Sequence, residues 1–386
     1  MSSAIFLGSG LHTALGVNVA DCVAALRGAP PQPGFVSCSM DAGAEAIPYF
    51  LLSGLPADEP GARLDEVVFE VIQQALDAAG LSPSQRESLA LFVGSSSFEI
   101  AGEEYRYRQA LNQSSSAIPL AECGMANLAE RVRSTLGLRG EDYTFNTACT
   151  SSANALWYAG KLIEQDVIEH ALILAVEFVN NTTTYGFQGL QLLSPTTMRP
   201  FDGERNGLVL GESCAAMVLG KSSGSEGFHL RGGANLCDTY SMSTTREDGS
   251  AVVDVLRRAL ASSRLTPDAI RAIKCHGTAT ITGDAAEARG MLTTFDQLPP
   301  CTSLKPFVGH TLGACGLTEL ILFCEAVKAG FLPGTEGIAA DTDGVGFALN
   351  QRPMPVVPGH FMLNYFGFGG NNTSLIVSNM ADGVDS

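Results

Sequence analysis

The chain has 386 residues, 45% hydrophobic and 16% charged, against about 25% charged in an average soluble protein; a large core and a surface partly covered by another subunit are expected, and wholesale disorder is excluded. With 23 Lys and Arg against 40 Asp and Glu, the net charge of -17 argues against a nucleic acid or an anionic membrane as partner. The ten cysteines form no CxxC pair and no zinc-type spacing with histidine, which fits reduced thiols in a cytoplasmic protein rather than a disulfide framework.

The first residues carry no signal-peptide pattern. Short apolar, β-branched runs alternate with helix-period stretches along the chain, predicting an α/β fold around a buried, mostly parallel sheet. Residues 5–8 and 91–94 read as strands. Residues 64–79 place Val67, Val68, Val71, Ile72 and Leu76 on one helical stripe, with Gly80 as the stop. Residues 171–176 read as a buried strand; the dense apolar run around them, 171–179, is about half the length of a membrane span and contains Glu177. Residues 207–220 read as a hairpin folded about Gly211, and the small polar segment 220–227 as a linker. That linker divides the chain into halves, 1–225 and 226–386. Beyond it the alternation resumes: strand 228–232, helix 251–262, strand 269–275, helix 284–295 and a long apolar helix 313–329 ending at Gly330. The similar content of the halves implies an internal structural duplication, although no residue-level repeat is evident.

Four segments carry candidate chemistry. In YTFNTACTSSANALW, residues 143–157, a short strand runs through small residues into a helix, which puts Cys149 near the helix's first turn. Unpaired N–H groups and the helix dipole there favour a thiolate, lowering the thiol pKa and making a nucleophile; the plain alternative is a buried structural cysteine. In IKCHGTATITGDAAE, residues 273–287, a strand delivers His276 into a loop containing Thr278 and Thr280, and Asp284 with Glu287 reads as a helix capping box that can coexist with a role in a site. In LKPFVGHTLGACG, residues 304–316, Lys305 and His310 open the longest apolar helix. In NYFGFGGNNTS, residues 364–374, glycines flank Phe368 between two strands, a turn in which backbone N–H groups approach a ligand closely, as an oxyanion hole requires.

The order of these segments, together with MRPFDGERNGLVLGE at 198–212, resembles the β-ketoacyl-[acyl carrier protein] synthases of the thiolase superfamily, in their Cys-His-His elongating class. The resemblance implies a five-layered αβαβα thiolase fold built from two similar halves. It implies an acyltransferase, a decarboxylating 3-oxoacyl-[acyl-carrier-protein] synthase, which condenses an acyl group on Cys149 with malonyl-carrier in fatty acid or polyketide or polyene-type biosynthesis. Cys149 corresponds to the acyl-accepting nucleophile, His276 and His310 to the histidines of decarboxylation, and Lys305 to the supporting lysine. Asp284, Glu287, Thr278 and Thr280 fall at supporting positions. Phe368 matches the gating phenylalanine, whose N–H joins that of Cys149 in the oxyanion hole. No metal, nucleotide or redox cofactor is implied, the substrates riding on the phosphopantetheine arm of acyl carrier protein. A homodimer is the expected assembly, with a heterodimer with a related ketosynthase subunit as the other arrangement.

Asn206, Ser213–Cys214 and Asn371 depart from the family's usual residues and bear on pathway and substrate rather than on the reaction. A thiolase acting on acyl-CoA would need a second catalytic cysteine near the C-terminal glycine-rich loop, and no cysteine follows Cys324. A non-catalytic chain-length partner would typically lack the nucleophile. Since carrier proteins of this system are acidic, Arg199 and Arg205 are candidates for docking them.

Overall fold

The computed structural model describes residues 4–37, 46–55, 63–113, 124–222, 227–335 and 345–380. Ten strands join into one sheet: β1 (Ala4–His12), β2 (Ala90–Gly94), β3 (Asp142–Phe145), β4 (His170–Glu177), β5 (Ser213–Lys221), β6 (His229–Cys237), β7 (Ile270–Lys274), β8 (Cys301–Thr302), β9 (His360–Phe366) and β10 (Asn371–Ser378). Their order is β8-β7-β9-β10-β6-β1-β5-β4-β2-β3. Cut between β6 and β1, the order is third, second, fourth, fifth, first on both sides, with the same strand senses in each half. The duplication therefore resides in topology. The boundary near 225 lies outside the described residues.

The sheet is mixed rather than mostly parallel. β2 runs parallel to β3 and β4, and β7 to β8 and β9, while the strands from β4 through β5, β1, β6 and β10 to β9 pair antiparallel. Parallel neighbours need a crossover, whereas β9 and β10 are joined by a turn too tight to provide one. The hairpin expected at 207–220 is also corrected. Leu210–Gly211 pairs with Ile47–Phe50 in a small separate sheet, and β5 enters the large sheet between β1 and β4, so these segments never face each other.

The helices that flank the sheet or frame the site include α1 (Leu64–Ala79), α2 (Ser151–Glu164), α3 (Asn181–Gly189), α4 (Ser250–Ser263), α5 (Ile281–Thr294) and α6 (Cys315–Lys328). The apolar stripe of α1, Val67, Val68, Val71 and Ile72, packs on the outer face of the N-terminal half, and Gly80 ends it in the left-handed conformation at φ 64°. α4 and α5 cover the outer face of the other half. Between the halves lie α2 and α6, in the core that both halves share. α6 is buried on nearly every residue, which explains its all-round hydrophobicity. The two central helices meet at their backbones: a Cβ on Gly316 would lie 2.3 Å from the Ala153 nitrogen. The result is the expected αβαβα sandwich. No helix among the described residues is long and apolar enough to cross a membrane.

Candidate active site

Cys149 leaves β3 through a sharp turn. Ala148 adopts φ +51°, a strained conformation for a non-glycine residue, and the Ser151 hydroxyl holds the turn by accepting from Thr147 N at 2.9 Å and donating to Ala148 O at 2.7 Å. The nucleophile candidate thus precedes the first turn of α2, with only 6% of its surface exposed.

His276 lies just beyond β7, in a loop bent by Gly277 at φ +50° and Ala279 at φ +61°. The carboxylates of α5 hold that loop. Asp284 accepts from the amides of Thr278 (2.9 Å), Ala279 (3.1 Å) and Phe201 (2.7 Å), and Glu287 from those of His276 (2.7 Å) and Gly277 (2.9 Å). The capping box is thereby corrected: α5 starts at Ile281, both acids lie inside it, and what they cap is the histidine loop. Burial pushes Asp284 up to about 6 and Glu287 up to about 7, against the pull of these amides. The hydroxyls of Thr278 and Thr280 lie 2.9 Å apart and face the same cleft as His276.

The structure brings the separated side chains together. His310 Nε2 lies 3.1 Å from Cys149 Sγ, and the His276 and His310 rings stand nearly perpendicular, at 87°, with centroids 5.5 Å apart. Lys305 is fully buried; its ammonium donates to His276 Nδ1 at 3.3 Å and to Glu319 Oε1 at 2.6 Å. A protonated lysine has no lone pair, so His276 Nδ1 is the acceptor and its proton resides on Nε2. Burial, then the charge on Lys305, pull both histidines well below the usual imidazole range, leaving them neutral.

The thiolate expectation at Cys149 is overturned. Burial pushes its thiol up to about 11, outweighing Lys305 and the backbone N–H of Phe368, which donates to the sulfur. The resting nucleophile is therefore a neutral thiol with a neutral imidazole at hydrogen-bonding distance.

Phe368 opens the turn between β9 and β10. Gly370, at φ +78°, passes so close to the next loop that a Cβ would lie 1.8 Å from Asp238 O. The half-buried Phe368 ring stacks on Phe187 of α3, centroids 5.6 Å apart and planes 12° apart. It borders two spaces that both reach Cys149: a cleft lined by His276, His310, Thr278 and Thr280, and a pocket lined by Leu190 and Leu312.

Two site residues escape the motif reading. Glu319, on α6, bridges Lys305 and Lys274, the last residue of β7, and all three are fully buried. The available signal was a charged residue inside an apolar helix and another closing an apolar strand, since such groups are almost never buried without partners. Arg199 is paired with Asp202 and Glu204, and Arg205 donates to the carbonyls of Asp202 and Ile281, so both hold the 199–205 loop. Among the described residues no group of three or more His, Cys, Asp or Glu could hold a metal ion.

Residues 61–224 match the family model for the β-ketoacyl synthase N-terminal domain, and residues 228–339 that for its C-terminal domain. Over 348 residues, 83% of this chain, the sequence is 29% identical to the spectinabilin polyketide synthase system protein NorA' of Streptomyces orinoci, of which the match spans 9%. Over 264 residues, 62% of this chain, it is 31% identical to the chloroplastic 3-oxoacyl-[acyl-carrier-protein] synthase II of Arabidopsis thaliana, of which the match spans 48%. Among solved structures, a chain of the complex between the ketosynthase ApeO and its chain length factor ApeC from Xenorhabdus doucetiae superposes with a TM-score of 0.87 at 25% identity, over 98% of both chains.

Proposed function

The chain belongs to the β-ketoacyl synthase family, and we propose that it joins an acyl group carried on Cys149 to the two-carbon unit left when malonyl-carrier loses CO2. The observation that carries this reading is the 3.1 Å approach of His310 Nε2 to Cys149 Sγ beside a second neutral histidine whose proton is on Nε2.

As Sγ attacks the acyl thioester, its proton passes to His310 Nε2, and the tetrahedral oxyanion is held by the backbone N–H groups of Cys149 and Phe368. Collapse expels the carrier thiolate, which takes the proton back. Malonyl-carrier then enters, its C–C bond to the carboxylate breaks, CO2 departs, and the electron pair becomes an enolate. Two neutral imidazole N–H donors stabilise that oxygen. His310 must present its own proton on Nε2 at this stage, and Nδ1, which meets no partner among the described residues, opposes neither tautomer. The enolate carbon attacks the acyl-cysteine carbonyl, and collapse releases the β-ketoacyl product and the Cys149 thiolate, which regains its proton from solvent.

These steps use only side chains and backbone amides of this chain. The hydroxyls of Thr278 and Thr280 are assigned to the amide groups of a phosphopantetheine arm entering the cleft beside the histidines, and the pocket next to Leu190 and Leu312, with its apolar lining, to the acyl chain. Acyl carrier protein is the proposed partner, and a homodimer the proposed assembly. β3, at one end of the sheet, carries Tyr143 and Phe145 against Tyr158, a residue 41% exposed, an aromatic edge suited to a second subunit. The decisive experiment supplies acyl-carrier and then malonyl-carrier labelled at its free carboxyl: CO2 release coupled one-to-one to β-ketoacyl-carrier supports the reading, and acyl-Cys149 that forms but never condenses defeats it.

A further inference from the structure

Glu319 faces two buried ammonium groups, and the mechanism so far uses one. Lys305 takes Oε1 at 2.6 Å. Lys274 takes Oε2 at 2.6 Å and also donates to Asn364 O at 2.6 Å, while the Tyr365 ring centroid lies 3.6 Å from its nitrogen. Three N–H bonds thus meet a carboxylate oxygen, a carbonyl and an aromatic face, so the Lys274 head group is fully partnered in a site closed to water. A carboxylate held at one oxygen alone pivots about its own stem; held at both, it cannot. The groups come from β7, α6, β9 and the Lys305 turn, so the orientation of Glu319 is tied to the sheet rather than to its own helix.

We propose that Lys274 is a positioning residue for malonyl decarboxylation: by occupying one oxygen of Glu319 it aims the other at Lys305, which in turn holds His276 with its proton on Nε2. The inference rests on the condensing role proposed above. The second ammonium also leaves the buried trio of two lysines and one glutamate with a net positive charge beside the histidines. In keeping with this, Lys274 adds to the burial and Lys305 effects that draw both imidazoles down. Lys274 itself is drawn down by burial while Glu319 opposes, and Lys305, against burial, is held above its usual value mainly by Glu319.

The test is Lys274→Met, which keeps the length of the side chain, removes the charge and leaves a one-to-one Lys305–Glu319 pair. Cys149 acylation by acyl-carrier, followed by intact mass, should stay within about 3-fold of the unchanged protein, while CO2 release from malonyl-carrier falls on the order of 10- to 100-fold, as misplacement of a reacting group predicts. Lys274→Gln, which retains an N–H donor without the charge, should recover part of that loss, and it replaces Lys274→Met as the deciding variant if the latter does not fold. Equal losses in acylation and decarboxylation, or normal decarboxylation in a folded variant, would overturn the proposal. If the unchanged protein itself fails to release CO2, the condensing role fails instead.

Discussion

Lys305 binds His276 at Nδ1, 3.3 Å away, and so decides which nitrogen of that imidazole bears the proton. The same lysine, buried and paired with Glu319, lowers the histidine's basicity. One contact thus sets both the direction of the donor and its neutrality, the two properties that an enolate-holding group needs.

Cys149→Ala should remain folded, because Ala fits the turn before α2 and removes only the sulfur, yet lose acyl transfer and condensation by several orders of magnitude. Thermal melting reads the retained fold, and intact mass spectrometry after incubation with acyl-carrier reads the loss of acyl transfer. Acyl label on another cysteine of the variant would contradict the assignment.

The two histidines should separate. His276→Ala is expected to acylate within a few fold of normal and to lose decarboxylation by roughly 10²- to 10³-fold, the usual effect of losing one oxyanion donor. His310→Ala should lose both, since His310 alone is within reach of the thiol proton; general-base removal lowers acylation by roughly 10²- to 10⁴-fold. Single-turnover acylation and CO2 release, measured on the same samples, check the pattern. Identical profiles for the two variants would reject it.

Titration should show a reluctant thiol and unprotonated imidazoles. With the Cys149 thiol at about 11, its alkylation by iodoacetamide should still be accelerating beyond the ordinary thiol value of 9.0. Both histidines lie well below 6.5, so protonation removes activity only on the acid side of that value, and decarboxylation should stay level from about pH 8 down to 6.5. An alkylation plateau below 9.0, or an acid limb centred on 6.5, would show that burial does not control these groups.

Phe368 is expected to act as a gate. Its ring belongs to none of the core clusters and rests on Phe187, with a cavity on each side and glycines at 367, 369 and 370. Phe368→Ala should therefore lose only the ring pair, about 0.5–1.5 kcal/mol, rather than the roughly 3–5 kcal/mol of a core cavity. Cys149 should still acylate, with condensation slowed or malonyl-carrier admitted out of order. Melting curves and single-turnover assays distinguish the cases, and a strongly destabilised variant with normal condensation per folded molecule would exclude the gate.

Much of this site is legible in the sequence because each piece is a short contiguous peptide with its own backbone demand. The small residues around Cys149, the glycine and threonines after His276 and the glycines around Phe368 are local requirements of tight turns, written next to the side chains they present. The apolar stripe of Val67, Val68, Val71 and Ile72 is likewise local, and α1 occupies the residues its periodicity marks.

Other features depend on partners distant in the chain. Lys274 and Glu319 stand 45 positions apart, and Cys149 and His310 161 apart, so no local pattern reveals the pairs. The β4–β5 and β9–β10 pairings turn on which strands become neighbours, and their antiparallel sense is invisible to a reading of strand and helix alternation. The capping signature of Asp284 and Glu287 lies one turn inside the helix that begins at Ile281, because the same carboxylates that cap a helix can bind the amides of a neighbouring loop. The thiol shows the division most plainly. Its place before a helix N-terminus is a property of residues 143–157, and alone favours the thiolate. Its ionisation depends on how much water the whole sandwich excludes, and desolvation by both halves raises it instead.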